Sequence, residues 1–499
     1  MTSERAVTAP AVEQFPEVVA RRTEGGARFC GLFASAREAG TRLLAVVDQD
    51  GSLQTDDVEV GAGVDRYRAL TPRIPAAAWY EREIHDLFGL VPDGHPRPDP
   101  LVFPFPHGAA RPRPGAGTTP GAAEPDLTPL ETHLRGEGVF TIPYGPVRSG
   151  VFESIEYLVE TPGEDIPHLR TRVFYKHRGT ELRFEGMGVE DGVLLAERCE
   201  GVASVAHSVA FCGAIERIAG VEVPVRAGLV RVLHAELERV ANHLDSTIRH
   251  TEAAGQAVAY ARLSLHKERV QRLRAELCGS RFGRGVVVPG GVAGPPALGA
   301  QDLLPAINQL EAAIRSDMRL LLATPSFVDR LRSTGVLPPD IAQSYAAVGP
   351  VGRASGQMND VRFARPYAAY ARLGHQLLEV RDGGDALARQ RVRLDEMWGA
   401  FHLIRQSVDV LDELGVPERG AWSVPVEMAS GEALGWAEAP QGELLYWVEL
   451  EEGRLVRVKP RSASFHNLAL LPMAFPNDIL TDFAFIEASF GLSIAGAAS

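Results

Sequence analysis

Apolar residues return every three or four positions along several long stretches of this chain, and every second position along a few short ones. Between Val225 and His250, Leu229, Leu233, Leu237, Val240 and Leu244 fall within about 80° on a wheel of about 100° per residue, which predicts a helix with one buried stripe. Pro224 just before it suits a helix start, where a missing N–H costs nothing. Glu236, Arg239 and His243 fall beside that stripe, at the margin of the core. Similar periodicity predicts helices over about Leu194–Ala219, closed by Gly220, and about Ala261–Cys278. Alternation in GELLYWVELEEGRLVRV predicts a hairpin within Trp436–Val458, with Glu452-Gly453 as its turn.

Near the start the runs FCGLFA and RLLAVVD alternate with helix-like segments, the pattern of a small α/β domain. Between Pro98 and Pro129 nine prolines stand among glycines and alanines with no period of either kind, which reads as a linker. At 499 residues the chain exceeds what one core usually organises. The expected architecture is therefore α+β: a small domain over 1–104, a linker over 105–131, and a large, mainly helical domain over 132–499 with peripheral β-hairpins.

Composition removes several function classes. A net charge of −13 argues against nucleic acid or anionic lipid as the principal partner, since both need a basic footprint. No run is long enough for a membrane helix and no apolar signal core opens the sequence, so a cytoplasmic protein without direct membrane insertion is expected. Cys30, Cys199, Cys212 and Cys278 form no C-x-x-C pair, which leaves the chain unable to bind an iron–sulfur cluster alone.

The string WYEREIHDLFGL, Trp79 to Leu90, followed by Gly94-His95-Pro96, resembles the signature of the complex I 30-kDa subunit. Taken by themselves, Glu81, Arg82, Glu83 and Asp86 form a solvated helix face with mutual pairs; the resemblance implies instead a face that docks partners. From Tyr144 onward the chain resembles the large subunit shared by complex I, as its 49-kDa subunit, and membrane-bound nickel-iron hydrogenases. Five segments carry the likeness: Gly145-Pro146-Val147; His177-Arg178-Gly179-Thr180-Glu181; AELERVANHL; Gly352 to Gly356 with Asp360-Val361-Arg362; and Glu438 to Glu443. The order of the two halves resembles the fused complex I subunits and the hydrogenase-4 and formate hydrogenlyase large subunits.

A nickel-iron centre needs two C-x-x-C pairs, because soft thiolates hold and bridge its metals. Aligning Ala206-His207-Ser208 with that family puts Glu200 and Ala203 at the first pair and Ser489 and Leu492 at the second, so no metal is expected. Gln441 stands where the family's arginine would lie over the metals, and a glutamine supplies no guanidinium. The tail Glu487 to Gly491 looks like the complex I version instead, yet Val147-Arg148-Ser149 replaces the histidines that would meet a quinone.

The resemblance implies a subunit of an NADH-quinone oxidoreductase-like or hydrogenase-4-like complex, peripheral on the inner face of the cell membrane. Its partners would be an iron–sulfur small subunit and membrane antiporter-like subunits. A quinone or other acceptor would sit at the interface, with NAD only through the complex. Candidate proton-handling residues of the cavity are His177, Glu181, Glu236 and His243, each of which could equally serve a structural network. Arg178, Arg353, Asp360, Arg362 and Arg461 are expected to shape the cavity, with Arg353 and Arg362 locked to Asp360 because buried charges need partners. Asp385 and Arg389 are spaced as an i,i+4 pair. Alternatives are a structural assembly subunit with a collapsed cavity, or an active hydrogenase recruiting Cys199, Cys212, Glu200 or His207.

Overall fold

In the computed structural model the chain is described over residues 12–105, 113–115, 124–127, 132–134, 136–148, 153–374, 381, 383–415, 417–418, 420–427 and 429–499. The runs FCGLFA and RLLAVVD lie in strands Arg28–Arg37 and Gly40–Gln49, which continue into Ser52–Gly61 as an antiparallel meander. Helix Phe15–Glu24 packs on the later strands and helix Ala78–Phe88 on the first.

The second half is built on four long helices, Val225–Ala253, Ala257–Cys278, Ala300–Leu322 and Ala386–Glu413. The leucines and the valine of the expected stripe, Leu229 to Leu244, are all fully buried. The helix expected over 194–219 is two helices, Val189–Ala196 and Ser204–Ala219, and the connection between them holds Glu200 and Ala203. Most of the Pro/Gly-rich linker lies outside the described residues. Of its described part, Arg113 is buried over the Phe103 ring at 4.7 Å.

Strands Gly442–Glu451 and Arg454–Arg461 form the expected hairpin. Glu452 and Gly453 both take positive φ, 48° and 77°, the demand of a two-residue turn matched to strand twist. Strand Gly431–Ala439 completes the sheet. This hairpin sits deeper than a peripheral place: all of Gly442–Leu450 is buried, because helix Ser204–Ala219 covers one side and the N-terminal meander approaches the other. At Gly435 a Cβ would fall 1.9 Å from the Ala210 carbonyl oxygen, so only glycine admits so close a helix.

One apolar cluster runs through both halves, from Phe15 and Leu44 to Trp447, Phe490 and Ala498. Phe33 stacks on Trp447 at 6.2 Å, and Tyr80 meets Phe465 edge to face at 5.0 Å while lying 2.7 Å from His466 Nδ1 through its hydroxyl. Such aromatic contacts supply area and geometric fit together.

The solvated helix face does not exist. Glu81, Glu83 and Asp86 are buried. Glu81 accepts from the backbone of Leu70 and Thr71, Asp86 accepts from three successive N–H groups at Leu101, Val102 and Phe103, and Glu83 reaches Lys459 of the other half at 2.6 Å. The surface this helix docks is the chain's own second half.

Candidate functional site

Five elements bring carboxylates and guanidiniums to one buried point. Helix Val225–Ala253 supplies Glu236, Arg239 and His243; the short turns Gly349–Arg353 and Val361–Ala364 supply Arg353, Asp360 and Arg362; helix Ala386–Glu413 supplies Glu396; strand Gly431–Ala439 supplies Glu438. All eight side chains lie in the interior.

Glu396 is the hub. It accepts from Arg353 at 2.6 and 3.0 Å and from Arg239 at 3.3 Å, and lies 2.9 Å from His243 Nε2. Glu236 accepts from Arg239 at 3.0 Å, from Arg362 at 3.2 Å and from the Tyr370 hydroxyl at 2.5 Å. Asp360 caps its own short helix and holds Arg362 at 2.7 Å, with Arg353 at 3.8 Å. Glu438 accepts from Arg353 at 3.0 Å and from the Val361 N–H at 3.1 Å.

Four carboxylates thus share three guanidiniums. Burial alone would neutralise all four acids, and the arginines outweigh it at three of them. Glu396 falls well below its ordinary range through Arg353 and His243, Glu236 falls through Arg239 and Arg362, and Asp360 falls through Arg362 and Arg353, each against desolvation. Glu438 is the odd acid. Burial, and then the nearby Asp360 charge, push it up to about 7 against its arginines. His243 goes the other way, lowered to about 4 chiefly by burial. At neutral pH His243, Glu236 and Glu396 hold fixed charge states, and Glu438 is the member poised to titrate.

Neither Glu396 nor Glu438 stood among the expected site residues. A signal for Glu396 exists: Arg389, Arg393 and Glu396 continue the helical stripe of Ala400, Leu403 and Ser407 within about 80°, so polar residues stand on a core face.

His177, Arg178 and Glu181 lie apart from this cluster. Glu181 accepts from Lys459 at 2.6 Å and from Arg457, and Lys459 also holds Glu83. Glu181 is lowered by Lys459 and Arg457 in spite of its burial, whereas Glu83 is raised to about 7 by burial and by Glu181. His177 packs edge-on to Phe103 at 5.8 Å and is lowered, mainly by burial. Arg178 donates to the carbonyls of Arg198, at 2.9 Å, and Ala495, at 3.1 Å, tying the connection before Ser204 to the C-terminal segment. Arg389 does not pair with Asp385. Asp385 caps the helix by accepting from Ala388 N at 2.7 Å, and Arg389 turns inward to the carbonyls of Gly335 and Gly384.

Arg461 belongs to a third cluster, with Arg28 and Arg365 around Glu443 and Asp48. Donor atoms of Cys30, Asp48 and Glu443 lie within 4.8 Å of one another, but three guanidiniums already claim the carboxylates, which disfavours a cation there.

Glu200 accepts from Ser464 at 2.8 Å and lies 3.2 Å from His207 Nε2, whose Nδ1 lies 2.6 Å from the Tyr446 hydroxyl. Burial opposes the charged imidazole, yet Cys199 and Glu200 raise His207 to about 9, so this is a buried ion pair. The C-terminal segment closes on it: Ser464 accepts from Ser493 N at 3.1 Å, and a Cβ on Gly496 would fall 2.7 Å from the Glu200 carboxyl carbon. Ser489 accepts from Arg389 at 2.9 Å and donates to Ile486, while Ala203 and Leu492 offer no donor atom. Gln441 is buried with both amide atoms unpartnered.

Two family models match. Residues 38–111 fit the respiratory-chain NADH dehydrogenase 30-kDa subunit, and residues 254–424 fit its 49-kDa subunit. The chain is 30% identical to hydrogenase-4 component G of Escherichia coli over 86% of its own length and 75% of that protein. The chain belongs to the complex I 30-kDa/49-kDa family, in fused form. It is also similar to formate hydrogenlyase subunit 5 of Escherichia coli, at 29% identity over 87% of this chain and 77% of that one. With an NADH-quinone oxidoreductase component of Rhodopseudomonas palustris it shares 27% identity over 67% of this chain and 61% of that one.

In this family member the segments Gly145 to Arg148 and Glu487 to Gly491 meet. Arg148 donates to Glu487 at 2.8 Å, and Tyr157 donates to the same carboxylate at 2.8 Å. Beside them a cavity of about 360 Å³ is lined by Tyr144, Phe483, Arg249, Glu252 and Glu487. No helix of the described residues is long and apolar enough to cross a membrane.

Proposed function

We propose that this chain is the cavity-forming, electron- and proton-coupling subunit of a membrane-associated oxidoreductase complex, of the NADH-quinone oxidoreductase or hydrogenase-4 type. Its relatives are named as parts of such assemblies, which supports a multisubunit setting. An iron–sulfur small subunit is the proposed electron-bearing partner, with membrane antiporter-like subunits beyond it. A quinone or another acceptor would approach the cavity wall between Tyr144 and Phe483, and NAD would enter only through the complex. The chain itself would lie on the inner face of the cell membrane, held by these partners.

The observation that carries the reading is the buried cluster with one acid too many. The Glu438 carboxyl can take a proton at neutral pH and return it, while Arg353 holds it against Glu396 and the other charges stay fixed. Glu236 and His243 are proposed to serve the cavity by setting the field around Glu438, and His177 and Glu181 to serve it from their separate cluster with Lys459. Arg178, Arg353, Asp360, Arg362 and Arg461 are proposed to hold its shape.

A nickel-iron centre does not fit the residues present. Of Glu200, Ala203, Ser489 and Leu492, two lack a donor and two already have hydrogen-bonded partners, and none is a thiolate. No step of the proposed function passes through such a centre. The His207–Glu200 ion pair, closed over by Gly496, favours a second reading in which this part of the chain serves assembly alone. Metal analysis of the native complex separates these from an active hydrogenase. Fewer than about 0.1 nickel per chain and no hydrogen uptake are expected, since donor type and geometry decide occupancy. Stoichiometric nickel, with infrared bands of cyanide or carbonyl on iron, would overturn the reading.

A further inference from the structure

A second cleft, of about 390 Å³, opens on the seam between the two halves and takes no part in the proposed coupling. Arg82 and Arg97 come from the N-terminal half, and Arg170 and Arg172 from strand His168–Arg172 of the other. Arg170 is paired with Glu160 at 3.0 Å and Arg172 with Glu156 at 3.2 Å. Arg82 spends its hydrogen bonds on the carbonyls of Asp99, at 2.8 Å, and Pro100, at 3.2 Å. Arg97 reaches only imidazoles, His168 Nε2 at 3.2 Å and His133 Nδ1 at 3.4 Å, whose rings stack at 4.4 Å. Asp99 is the one acid among the described residues of the cleft wall; it and the buried Asp86 offset the Arg82 charge, while neither Arg82 nor Arg97 makes a hydrogen bond to a carboxylate.

Burial and the nearby arginines act together on two imidazoles of the wall. His95 is lowered to about 4, first by burial and then by Arg82, and His168 to about 4, by burial with Arg97, His133 and Arg170 adding to it and Glu160 opposing. Arg97, exposed and hydrogen-bonded only to imidazoles, stands beside Arg82 on a concave wall, and the pair suits an anion with several oxygens. Guanidinium forks match phosphoryl oxygens in plane and spacing. The rest of the wall is apolar and partly aromatic, with Trp79, Tyr345, Pro472 and Met473, and the volume lies within the range of small-molecule sites.

We infer that this seam cleft is a binding site for a small phosphorylated molecule, with Arg97 and Arg82 on its phosphoryl groups and the Trp79–Tyr345 wall against its apolar part. A ligand there would bridge the two halves of the chain, since Arg82, Arg97 and Trp79 come from one and Tyr345 from the other.

Isothermal titration of the full-length chain with inorganic pyrophosphate and with ADP tests it. Both are expected to bind. Arg97→Ala, at an exposed position, should weaken both by at least about tenfold, the share of one charged bidentate partner. Arg97→Lys should recover part of that loss, and Arg332→Ala, an exposed arginine paired with Asp329 elsewhere, should change nothing. Absence of heat from both probes up to about 1 mM, the weak end of specific binding, would overturn the inference, as would binding that Arg97→Ala leaves intact. Binding lost on assembly, with the cleft protected from hydrogen exchange, would also overturn it and assign the cleft to an acidic segment of a partner.

Discussion

The buried charge clusters around Glu396 and around Glu443 are built from the same residue types and differ in one count. Around Glu396, four carboxylates face three guanidiniums; around Glu443, Glu443 and Asp48 face Arg28, Arg365 and Arg461. With cations in excess Glu443 is held well below its ordinary range against burial, by Arg28, Arg365 and Arg461. With acids in excess one of them, Glu438, is left at about 7. Burial makes both clusters costly to break, but only the imbalance toward carboxylate leaves a proton to exchange. The Glu443 cluster joins the halves of the chain, and the Glu396 cluster has chemistry left over.

Substitutions should separate the two, and the largest effect falls on Arg353. It serves Glu396 and Glu438 together, so Arg353→Ala leaves buried Glu438 without its guanidinium hydrogen bond, takes the shortest one from Glu396, and should cost about 3–5 kcal/mol, read by urea unfolding. Glu443→Gln should cost less, about 2–3 kcal/mol. Arg28 and Arg365 keep Asp48, and only Arg461 loses its carboxylate while retaining the Glu443 carbonyl at 2.6 Å. Its penalty should not vary between pH 5 and 8, since Glu443 stays ionised throughout that range.

Glu438→Gln is expected to be the mildest, within about 1 kcal/mol at pH 6, because the amide resembles the protonated acid it replaces. Its effect shows in the pH dependence. The folded value of about 7 exceeds the ordinary 4.5, so between these values the folded state binds more protons than the unfolded one. Stability from this group is therefore fully present below about pH 4.5 and lost as pH rises toward 7. The glutamine variant should flatten that slope. A slope unchanged by the substitution would assign it to another group, Glu83 being the first to try.

Much of this fold was legible because it rests on short-range pattern. The stripe Leu229 to Leu244 and the Glu452-Gly453 turn each state their element within a few residues. Glu236, His243, Arg353, Asp360 and Arg362 could be named from family segments. What escaped were partners fixed only by tertiary contact. Glu83 and Lys459 stand 376 residues apart, and no local signal tells a salt-bridged helix face from a solvated one. Glu396 was hidden by the charge of its helix, although its place on the Ala400–Leu403 stripe marked it as interior. Glu438 lay inside one of the family segments, but its role comes from counting charges across five elements.

The most direct test is turnover per assembled complex in Glu438→Gln beside Glu443→Gln, with assembly measured by co-purification of the partners. The account predicts that Glu438→Gln assembles normally and loses more than about tenfold in normalised turnover, the usual loss for a removed proton-transfer group, while Glu443→Gln loses assembly and keeps its turnover per complex. Unchanged normalised turnover in Glu438→Gln would contradict it.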